Sequence, residues 1–321
     1  MQCWCGNSDL FPFGEGYCRC AKCETLVSDR NPGMFNPRVS DESNDLYGRK
    51  YWFDHQTADL DCPDIISRSR TDLSERCVHW LRSLLEFKLP PARVLEIGCA
   101  HGGFVAMLRQ AGFDASGLEL SPSIVRLATD TFRVPVLTGP IEDQSIPAGS
   151  LDAIVMMDVL EHLAEPVATL RVCMELLKAD GILLVQTPAY PEGMTLGQLN
   201  LQKHKFPQML DKNEHLFLFS KAAAGELFRR VSMPHIEFVS AIFGFYDMSL
   251  VASPGRLHRH GLEEQSAALC RTVEGRFIQA LLDLDDRRLN LLGKYRELRE
   301  GVQGAKPDNP SRIRLKSADV A

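Results

Sequence analysis

The sequence predicts an α/β fold built on a doubly wound, mostly parallel sheet. Between residues 67 and 255, short apolar runs alternate with amphipathic stretches, the pattern of successive β-α units. A glycine-rich loop beginning at Gly98 follows the first apolar run and precedes an amphipathic stretch. Such a strand–loop–helix turn is where open α/β sheets bind ligands.

The elements of this sheet follow from hydrophobic spacing. Strands are predicted over 93–97, 115–120, 134–137, 151–157 and 181–186, and helices over 104–111, 122–132 and 166–178. Leu73, Val78 and Leu81 recur at helical spacing and place another helix before the first strand. A later pair of strands is expected between His235 and Val251, broken at Gly244.

Five segments are predicted along the chain. They are a cysteine-rich head (1–30), a linker with an aromatic cluster (31–66), the α/β domain (67–255), a C-terminal helical segment (256–300) and a disordered tail (301–321). The apolar residues between Val273 and Leu298 predict a helix packed on the body. The alternative is a coiled-coil contact in a homodimer or with another partner.

Composition narrows the function classes. The chain is 45% hydrophobic and 24% charged, which is ordinary for a globular protein. A net charge of −6 gives no electrostatic footprint for nucleic acid. No apolar stretch is long enough for a membrane span, and the N-terminus lacks a secretory signal. A cytoplasmic location is therefore the default expectation.

The head predicts a structural zinc site. Five of the ten cysteines fall within the first 23 residues. Cys3 with Cys5, and Cys20 with Cys23, form two closely spaced pairs that together offer four thiolates for tetrahedral zinc. A closed site of four thiolates has no open position for catalysis. Cys18 either replaces a neighbouring ligand or stays a spare thiol, and reactive or disulfide-bonded cysteines are the alternative.

The loop after the first strand suits a nucleotide-like ligand. Gly98 permits a sharp turn. The small residues Ala100 and Gly102 leave room for a ligand to lie across the backbone of the loop. The following helix points free N–H groups at a ligand. Glu119 lies 21 residues beyond Gly98, near the roughly 20 expected for a carboxylate that accepts hydrogen bonds from ribose hydroxyls. An ordinary tight turn is the alternative interpretation.

Four motifs in order resemble the class I S-adenosylmethionine-dependent methyltransferases. They are an acidic residue and glycines over 96–102, GPIED over 139–143, and the stretches 151–166 and 177–188. The resemblance implies a Rossmann-like methyltransferase sheet that binds S-adenosylmethionine. An acidic residue just before the first glycine disfavours a nicotinamide oxidoreductase.

The resemblance also implies roles for individual residues of the cofactor site. Glu96 and Gly98 would line the methionine end, and Glu119 would bind the ribose. The adenine contacts and the wall near the sulfonium fall to Leu120, Ile141, Glu142 and Met157. Pro140 stands where the family usually has an acidic residue.

Two carboxylate–histidine pairs are candidate bases. The run Asp158–x–x–Glu161–His162 resembles that of ubiquinone-pathway O-methyltransferases, where it is linked to a divalent metal. The structural alternative is that it caps the following helix and buttresses the sheet.

The second pair, Glu214 and His215, resembles that of zinc-ribbon-bearing sugar C-methyltransferases, where it serves proton abstraction next to a carbonyl. Those enzymes place a tyrosine shortly before the pair, where this chain has Lys212. The structural alternative is a helix N-terminus capped by Ser220, with His215 orienting a loop.

Two further segments are expected near the acceptor and the cofactor. The insertion from Tyr190 to Asp211 is predicted to form a lid. Its candidate acceptor contacts are Tyr190, Lys203, His204, Lys205 and Phe206. The stretch with Tyr47, Tyr51 and Trp52 resembles one that closes over the cofactor in related enzymes, although such a cluster also serves to anchor a linker.

These observations predict a zinc-ribbon-headed methyltransferase of a small-molecule acceptor, with a sugar or polysaccharide-linked acceptor favoured. One alternative is an O-methyltransferase of a phenolic or quinone-pathway acceptor. Another is a non-catalytic module that retains the cofactor fold. The intact Gly98, Gly102 and Glu119 count against the module.

Overall fold

A computed structural model describes residues 1–30, 38–55, 57 and 63–304. Two compact units divide the chain at Gln279 and Ala280. The described residues form eleven strands: β1 (Leu10–Gly14), β2 (Tyr17–Cys20), β3 (Leu26–Ser28), β4 (Arg93–Ile97), β5 (Asp114–Glu119), β6 (Val136–Thr138), β7 (Leu151–Met157), β8 (Leu177–Pro188), β9 (Phe217–Leu218), β10 (His235–Val239) and β11 (Asp247–Ser253).

Nine α-helices join or follow these strands in the described part of the chain. They are α1 (Ile65–Asp72), α2 (Val78–Leu85), α3 (Gly103–Gln110), α4 (Pro122–Phe132), α5 (Pro166–Leu176), α6 (Leu196–Leu201), α7 (Lys221–Arg230), α8 (Leu262–Leu269) and α9 (Val273–Gly304). A wider helical turn, Leu73–Cys77, connects α1 to α2. Residues from Ala280 onward form the second unit.

Seven strands form the central sheet in the order β10-β11-β8-β7-β4-β5-β6. The five strands from β8 to β6 are parallel, whereas β11 and β10 are antiparallel to their neighbours. Strands β5 and β6 follow β4 in the chain and lie on one side of it. Strand β7 comes next in the chain and lies on the other side of β4. The strand order therefore reverses between β4 and β7, and open α/β sheets bind ligands at such a point.

Burial explains why the parallel strands are so apolar. Leu95, Ile154 and Val185 on the inner strands are at most 1% exposed, because helices cover both faces of a parallel sheet. Between the strands, helix α4 begins where the Ser121 hydroxyl accepts the N–H of Ile124, with a proline in its first turn. The predicted doubly wound α/β sheet is confirmed.

The head builds a second, smaller sheet in the order β1-β2-β3-β9. Its last strand, β9 (Phe217–Leu218), lies between β8 and β10 in the chain rather than in the head. Leu26 pairs with Leu218, and Val27 pairs with Phe217, in an antiparallel arrangement. The head sheet is therefore completed by the segment that follows the predicted Glu214–His215 pair.

Several predicted boundaries differ from the observed ones. Strand β8 runs over Leu177–Pro188 instead of 181–186. Leu177 pairs with Leu151 of β7 at its start, and residues 183–188 pair with β11 at its end. Helix α9 continues to Gly304, four residues into the predicted tail, and residues 305–321 lie outside the described part. Parts of the predicted linker, 31–37, 56 and 58–62, lie outside it as well.

A search of the described helices finds none with the length and apolar character of a membrane span. The cytoplasmic location expected from the sequence stays a prediction.

Candidate active site

The loop after β4 adopts backbone conformations that few residues other than glycine tolerate. Gly98 and Gly102 have φ angles of 74° and 77°, and Ala100 has 45°. A Cβ on Gly98 would lie 2.6 Å from Cγ2 of Val159. The glycine at position 98 is therefore required both by the turn and by the close approach of the segment after β7.

The Glu119 carboxylate is tied to this loop and to the start of α4. It accepts the N–H groups of Ala100 at 3.1 Å, Leu120 at 2.8 Å and Ser121 at 3.1 Å. Burial raises the pKa of Glu119, and these three hydrogen bonds oppose that shift by favouring the charged form. The carboxylate is thus held at the carboxyl end of β5.

Glu96, on β4, is buried beneath the same loop. Burial holds the pKa of this carboxyl well above its usual range. Its Oε2 atom has no hydrogen-bond partner among the described residues. An unpaired buried carboxylate oxygen costs free energy, and such atoms in native proteins often mark a place for a ligand or water.

A cavity of about 370 Å³ opens at this edge of the sheet, within the size range of small-molecule sites. Five predicted cofactor residues line it: Gly98, Glu119, Leu120, Ile141 and Glu142. The other predicted cofactor residues lie outside its lining; they are Glu96, Ala100, Gly102 and Met157. Its walls are largely apolar, with Ile97 and Leu118 at the strand ends.

The segment before α1 covers this cavity, and much of that role escaped the sequence analysis. The Glu42 carboxylate accepts the N–H of Ser123 at 2.6 Å and the hydroxyl of Ser121 at 3.0 Å, both at the N-terminus of α4. Arg38 forms an ion pair with Asp143. Nothing in the polar sequence around Arg38 and Glu42 indicates these partners, since Ser121 and Ser123 follow β5 and Asp143 follows β6, far along the chain.

The predicted aromatic stretch lies at the same cavity. Tyr47, Tyr51 and Trp52 all line it. The Trp52 indole N–H is buried and has no hydrogen-bond partner among the described residues. The Tyr51 hydroxyl donates to Oε2 of Glu214 at 3.1 Å. This covering segment therefore joins the cofactor side of the cavity to the second carboxylate–histidine pair.

The two predicted catalytic pairs come together in one cluster. The rings of His162 and His215 lie 4.9 Å apart between centroids. Nδ1 of His162 lies 2.8 Å from the carbonyl of Glu214 and 2.9 Å from the Tyr47 hydroxyl, and Nδ1 of His215 lies 2.7 Å from the carbonyl of Met209. A carbonyl only accepts, so both Nδ1 atoms are assigned as N–H donors, which leaves each Nε2 with a lone pair.

Of the two histidines, His162 lines the cavity. His215 and Glu214 lie behind His162, outside the cavity lining. Burial, followed by the neighbouring His215, lowers the pKa of His162 to about 3. The imidazole is therefore neutral across the physiological range. Five residues after His215, the Ser220 hydroxyl accepts the N–H of Ala223 and caps helix α7.

Polar residues at the ends of β7, β8 and β11 surround this cluster. Oε2 of Glu161 accepts the Thr187 hydroxyl at 2.8 Å, and burial holds the pKa of Glu161 well above its usual range. Asp158 has a φ of 58°, pairs with Arg76 at 3.2 Å and accepts from Gln186 at 3.1 Å. The sequence analysis missed Arg76, Gln186 and Thr187, because only the sheet brings them to Asp158 and Glu161.

The residues proposed for the lid divide into two groups. Tyr190 and Phe206 are at most 2% exposed and pack in one cluster with Tyr17 and Leu26 of the head. Nδ1 of His204 accepts the N–H of Phe206 at 3.0 Å. The remaining two, Lys203 and Lys205, are exposed. None of the five lines the cavity of about 370 Å³.

The four predicted zinc ligands meet in the head. The sulfur atoms of Cys3, Cys5, Cys20 and Cys23 all lie within 4.8 Å of one another. Sγ of Cys3 is 3.5 Å from that of Cys23, and Sγ of Cys5 is 3.6 Å from that of Cys20. Cys18 lies outside this group, on the intervening strand β2.

The head also holds the segment that carries Glu214 and His215. The Tyr17 hydroxyl donates to the carbonyl of His215 at 2.7 Å, and the Ser28 hydroxyl donates to that of Lys212 at 2.7 Å. The N–H of Ser28 also donates to the carbonyl of Leu216 at 3.0 Å. The candidate base cluster is therefore supported from the cysteine head as well as from the central sheet.

Known proteins similar to this chain share its central region. The ubiquinone biosynthesis O-methyltransferase of Xanthomonas campestris pv. campestris (strain B100) is 33% identical over 105 residues, which are 31% of this chain and 44% of the relative. The enzyme of the same name from Xanthomonas oryzae pv. oryzae (strain PXO99A) is 32% identical over 105 residues, again 31% and 44%. The chain thus spans less than half the length of these relatives.

Two solved structures are similar in fold. Magnesium protoporphyrin IX methyltransferase from Synechocystis PCC 6803 has a TM-score of 0.41 and 20% identity, covering 60% of this chain and 86% of its own. A SAM-dependent methyltransferase from Archaeoglobus fulgidus has a TM-score of 0.44 and 16% identity, covering 56% and 93%.

A sequence profile of the methyltransferase domain family matches residues 69–231. That match spans half of the chain and includes the glycine loop, Glu119 and the Asp158–His162 run. The chain therefore belongs to the methyltransferase domain family, among the class I S-adenosylmethionine-dependent methyltransferases.

Proposed function

We propose that the protein transfers a methyl group from S-adenosylmethionine to a small-molecule acceptor. The observation that carries this proposal is a single cavity lined both by the glycine loop with Glu119 and by His162. A cofactor-binding edge and a candidate base thereby open into the same space. When bound, the cofactor supplies an electrophilic methyl group on a sulfonium centre.

Features of the cavity support a fit to this cofactor. Its apolar walls, from Leu118 to Ile141, suit a flat heterocycle. Glu119 lines it with a carboxylate suited to ribose hydroxyls, and the Trp52 indole N–H is buried without a partner among the described residues. We propose that Gly98, Glu119, Leu120, Ile141 and Glu142 contact the cofactor directly. Glu96, Ala100, Gly102 and Met157 would then shape the loop and the wall behind them.

We propose His162 as the base that removes the acceptor proton. Its Nδ1–H is directed to the Glu214 carbonyl, so Nε2 keeps a lone pair. The lowered pKa of His162 keeps the ring neutral before the reaction, so its Nε2 lone pair is unprotonated at neutral pH. Glu214 and His215 would position this ring from behind, with His215 as the alternative base if the acceptor reaches deeper.

Two variants separate these roles. His162→Ala should lower kcat by about 10²–10⁴-fold, the usual contribution of a general base, with little change in the affinity for S-adenosylmethionine. His215→Ala should lower kcat less if it only positions His162. A larger loss of kcat in His215→Ala than in His162→Ala would instead make His215 the base, and an unchanged kcat in both would remove this cluster from the chemistry.

A sugar or polysaccharide-linked acceptor is favoured. The sugar C-methyltransferases that this chain resembles place a tyrosine just before the Glu–His pair, where this sequence has Lys212. In the folded chain, Tyr51 donates to Glu214 from the covering segment instead. A tyrosine hydroxyl therefore reaches the pair by another route, and this supports the comparison despite the sequence departure.

O-methylation of a phenolic or quinone-pathway acceptor is the second candidate. It is favoured by the Asp158–x–x–Glu161–His162 run and by the name of the relatives, ubiquinone biosynthesis O-methyltransferase. Glu161, His162 and His215 offer ligand atoms within 4.8 Å of one another, close enough to hold a divalent metal. A requirement for added metal in turnover would favour this candidate over the sugar acceptor.

We also propose that the head binds one structural Zn²⁺ through Cys3, Cys5, Cys20 and Cys23. Sulfur atoms at the corners of a tetrahedron with Zn–S bonds of about 2.3 Å lie roughly 3.8 Å apart. The two measured sulfur pairs, at 3.5 and 3.6 Å, are close to that spacing. Metal analysis of protein purified without chelator should find about one zinc per chain at this site.

Calorimetry tests the main proposal most directly. S-adenosylmethionine and S-adenosylhomocysteine should both bind, and NAD should not. Failure of both sulfur compounds to bind would falsify the methyltransferase assignment and favour the non-catalytic module. If they bind, screening acceptor classes with radiolabelled methyl donor distinguishes sugars from phenols, and gel filtration at several concentrations tests a homodimer through α9.

A further inference from the structure

A third group of side chains that could hold a metal ion lies far along the chain, between β11 and α8. The rings of His258 and His260 are 4.7 Å apart between centroids. Nδ1 of His260 lies 3.7 Å from Oε2 of Glu264, one turn into α8. One ligand atom from each of the three residues falls within 4.8 Å of the others.

The imidazole of His260 has one nitrogen whose hydrogen-bonding capacity is not satisfied by the described residues. Its Nδ1 atom is buried and has no hydrogen-bond partner among the described residues. Burying a polar nitrogen without a hydrogen-bond partner costs free energy. A ligand that bonds to the Nδ1 lone pair, with Glu264 beside it, would remove that cost.

The backbone around the group is fixed by hydrogen bonds. The N–H of His260 donates to the carbonyl of Glu86 at 2.7 Å, and the side chain of Gln265 donates to the carbonyl of His260 at 2.8 Å. Oε2 of Glu264 accepts the N–H of Gly261 at 2.9 Å as a helix cap. The backbone of His260 and the carboxylate of Glu264 are thus held in place before any ion binds, which favours binding.

Neighbouring cations are engaged elsewhere. Arg259, between the two histidines, pairs with Glu86 and Glu237 and stacks on Phe87. The ammonium group of Lys88 lies 3.1 Å from the Asp180 carboxylate. Both cations are thus paired with carboxylates outside the group of His258, His260 and Glu264. Within the group, Glu264 supplies the carboxylate.

We propose that His258, His260 and Glu264 form a second metal site that binds a divalent ion of the late first-row transition series, such as Zn²⁺ or Ni²⁺. Two imidazole nitrogens and one carboxylate oxygen suit these ions better than Mg²⁺ or Ca²⁺. Ligand atoms around tetrahedral zinc lie roughly 3.4 Å apart. The exposed side chain of His258 closes the remaining distance by rotating, and water takes the fourth position.

The site lies away from the candidate active site. The loop that carries it runs past the start of β8, where a Cβ on Gly255 would lie 2.6 Å from the carbonyl oxygen of Ala179. His260 is bonded to Glu86, just before β4. These are the amino ends of parallel strands, whereas the cofactor cavity opens at their carboxyl ends. The ion therefore stabilises the β11–α8 loop and takes no part in methyl transfer.

Calorimetric titration with Ni²⁺ tests the proposal on tag-free full-length protein that carries one equivalent of zinc, enough to fill the cysteine site of the head and no more. The wild type should bind one equivalent, and His260→Ala and Glu264→Gln should each weaken that binding by about tenfold or more, since even outer partners of metal ligands contribute 10–100-fold. His235→Ala and Glu263→Gln are the matched controls. Each removes the same kind of side chain outside the group and should leave the titration unchanged.

The Glu161–His162–His215 group is the competing destination for Ni²⁺. If binding survives in His260→Ala but disappears in His215→Ala, the second site does not exist. Equal binding in all four variants would overturn it as well. In the same samples, Ni²⁺ should raise the unfolding temperature of the wild type and of the two controls, but not of His260→Ala. Turnover should be the same in His260→Ala as in the wild type.

Discussion

The head and the central sheet both contact the segment Lys212–Ser220, but they are stabilised in different ways. The head strands span three to five residues, and four of its buried residues are the cysteines of one cluster. The central sheet has seven strands with inner residues such as Leu95 and Ile154 at most 1% exposed. With the proposed zinc bound, sulfur ligands would hold the head together, whereas the central sheet depends on buried apolar area. The two also share one apolar core, since the four head cysteines belong to the same buried cluster as Leu95 and Ile154.

The difference matters because the candidate base cluster lies where the two sheets meet. From the head, Tyr17 donates to the carbonyl of His215. From the central side, the Glu161 carbonyl accepts the N–H of Leu216 at 2.8 Å, and Ala189 forms a bridge with Phe219. Loss of either support should displace His215 and the Glu214 carbonyl that orients His162.

The largest expected effect comes from removing a head ligand. Cys20→Ser should abolish zinc binding and unfold the head, because a structural zinc contributes on the order of 10 kcal/mol of folding free energy. Zinc content and hydrogen exchange measure this, with exchange rising in β1–β3 and less in β4–β8. Cys18→Ser is the matched control and should retain zinc. Equal zinc loss in both variants would contradict the assignment of the four ligands.

A cavity in the central sheet should have the next largest effect. Leu95→Ala should lower the free energy of unfolding by about 2–5 kcal/mol, the usual cost of a buried Leu→Ala change. Zinc content should stay at the wild-type value, since Leu95 lies on β4 and supplies none of the four proposed ligands. Leu262, which is 79% exposed, gives the control Leu262→Ala with little expected effect. Zinc loss in Leu95→Ala would show that the two sheets unfold as one unit.

Acid should weaken the junction through His162. Its pKa is lowered to about 3 in the folded chain, against about 6.5 when unfolded. The unfolded chain therefore binds an extra proton between these values, and stability falls as pH drops through that window, by up to about 1.4 kcal/mol per pH unit. His162→Gln should reduce the slope of unfolding free energy between pH 6 and 5. The control His235→Gln should keep the wild-type slope, and an unchanged slope in His162→Gln would contradict the buried neutral ring.

The smallest expected effect is that of a single hydrogen bond between the head and the junction. Tyr17→Phe should cost about 1 kcal/mol of stability and lower kcat a few-fold, with unchanged zinc content and affinity for S-adenosylmethionine. Tyr190→Phe is matched to it, since its hydroxyl also donates to a carbonyl, that of Met194 at 2.6 Å. Equal kcat in the two variants would mean that the head stabilises the chain without positioning His215.

Much of the central domain could be predicted from local sequence. The strand–loop–helix turn at Gly98 and the carboxylate at the end of the next strand are features of short range, in which backbone conformation dictates the residue type. The four clustered cysteines are likewise close in sequence. For these features, hydrophobic period and spacing contain the required information.

The covering segment and the base cluster could not be predicted in the same way. Glu42 contacts Ser121 and Ser123 about 80 residues away, and Tyr51 contacts Glu214 across 163 positions. No periodic pattern specifies such pairs, because they depend on how elements pack. The lid residues Tyr190 and Phe206 were expected at the acceptor for their chemistry, and packing places them in an apolar cluster with the head.

By itself, the sequence determined the α/β class, the glycine loop after β4, the carboxylate of Glu119 at the end of β5 and the pairing of the four cysteines. Each of these follows from backbone geometry or residue spacing within a short stretch. The tertiary structure alone decided that His162 faces the cavity, that His215 stands behind it, and that the head strand β3 pairs with β9. Those outcomes depend on contacts between distant segments, and long-range packing is the part of folding that local propensity does not encode.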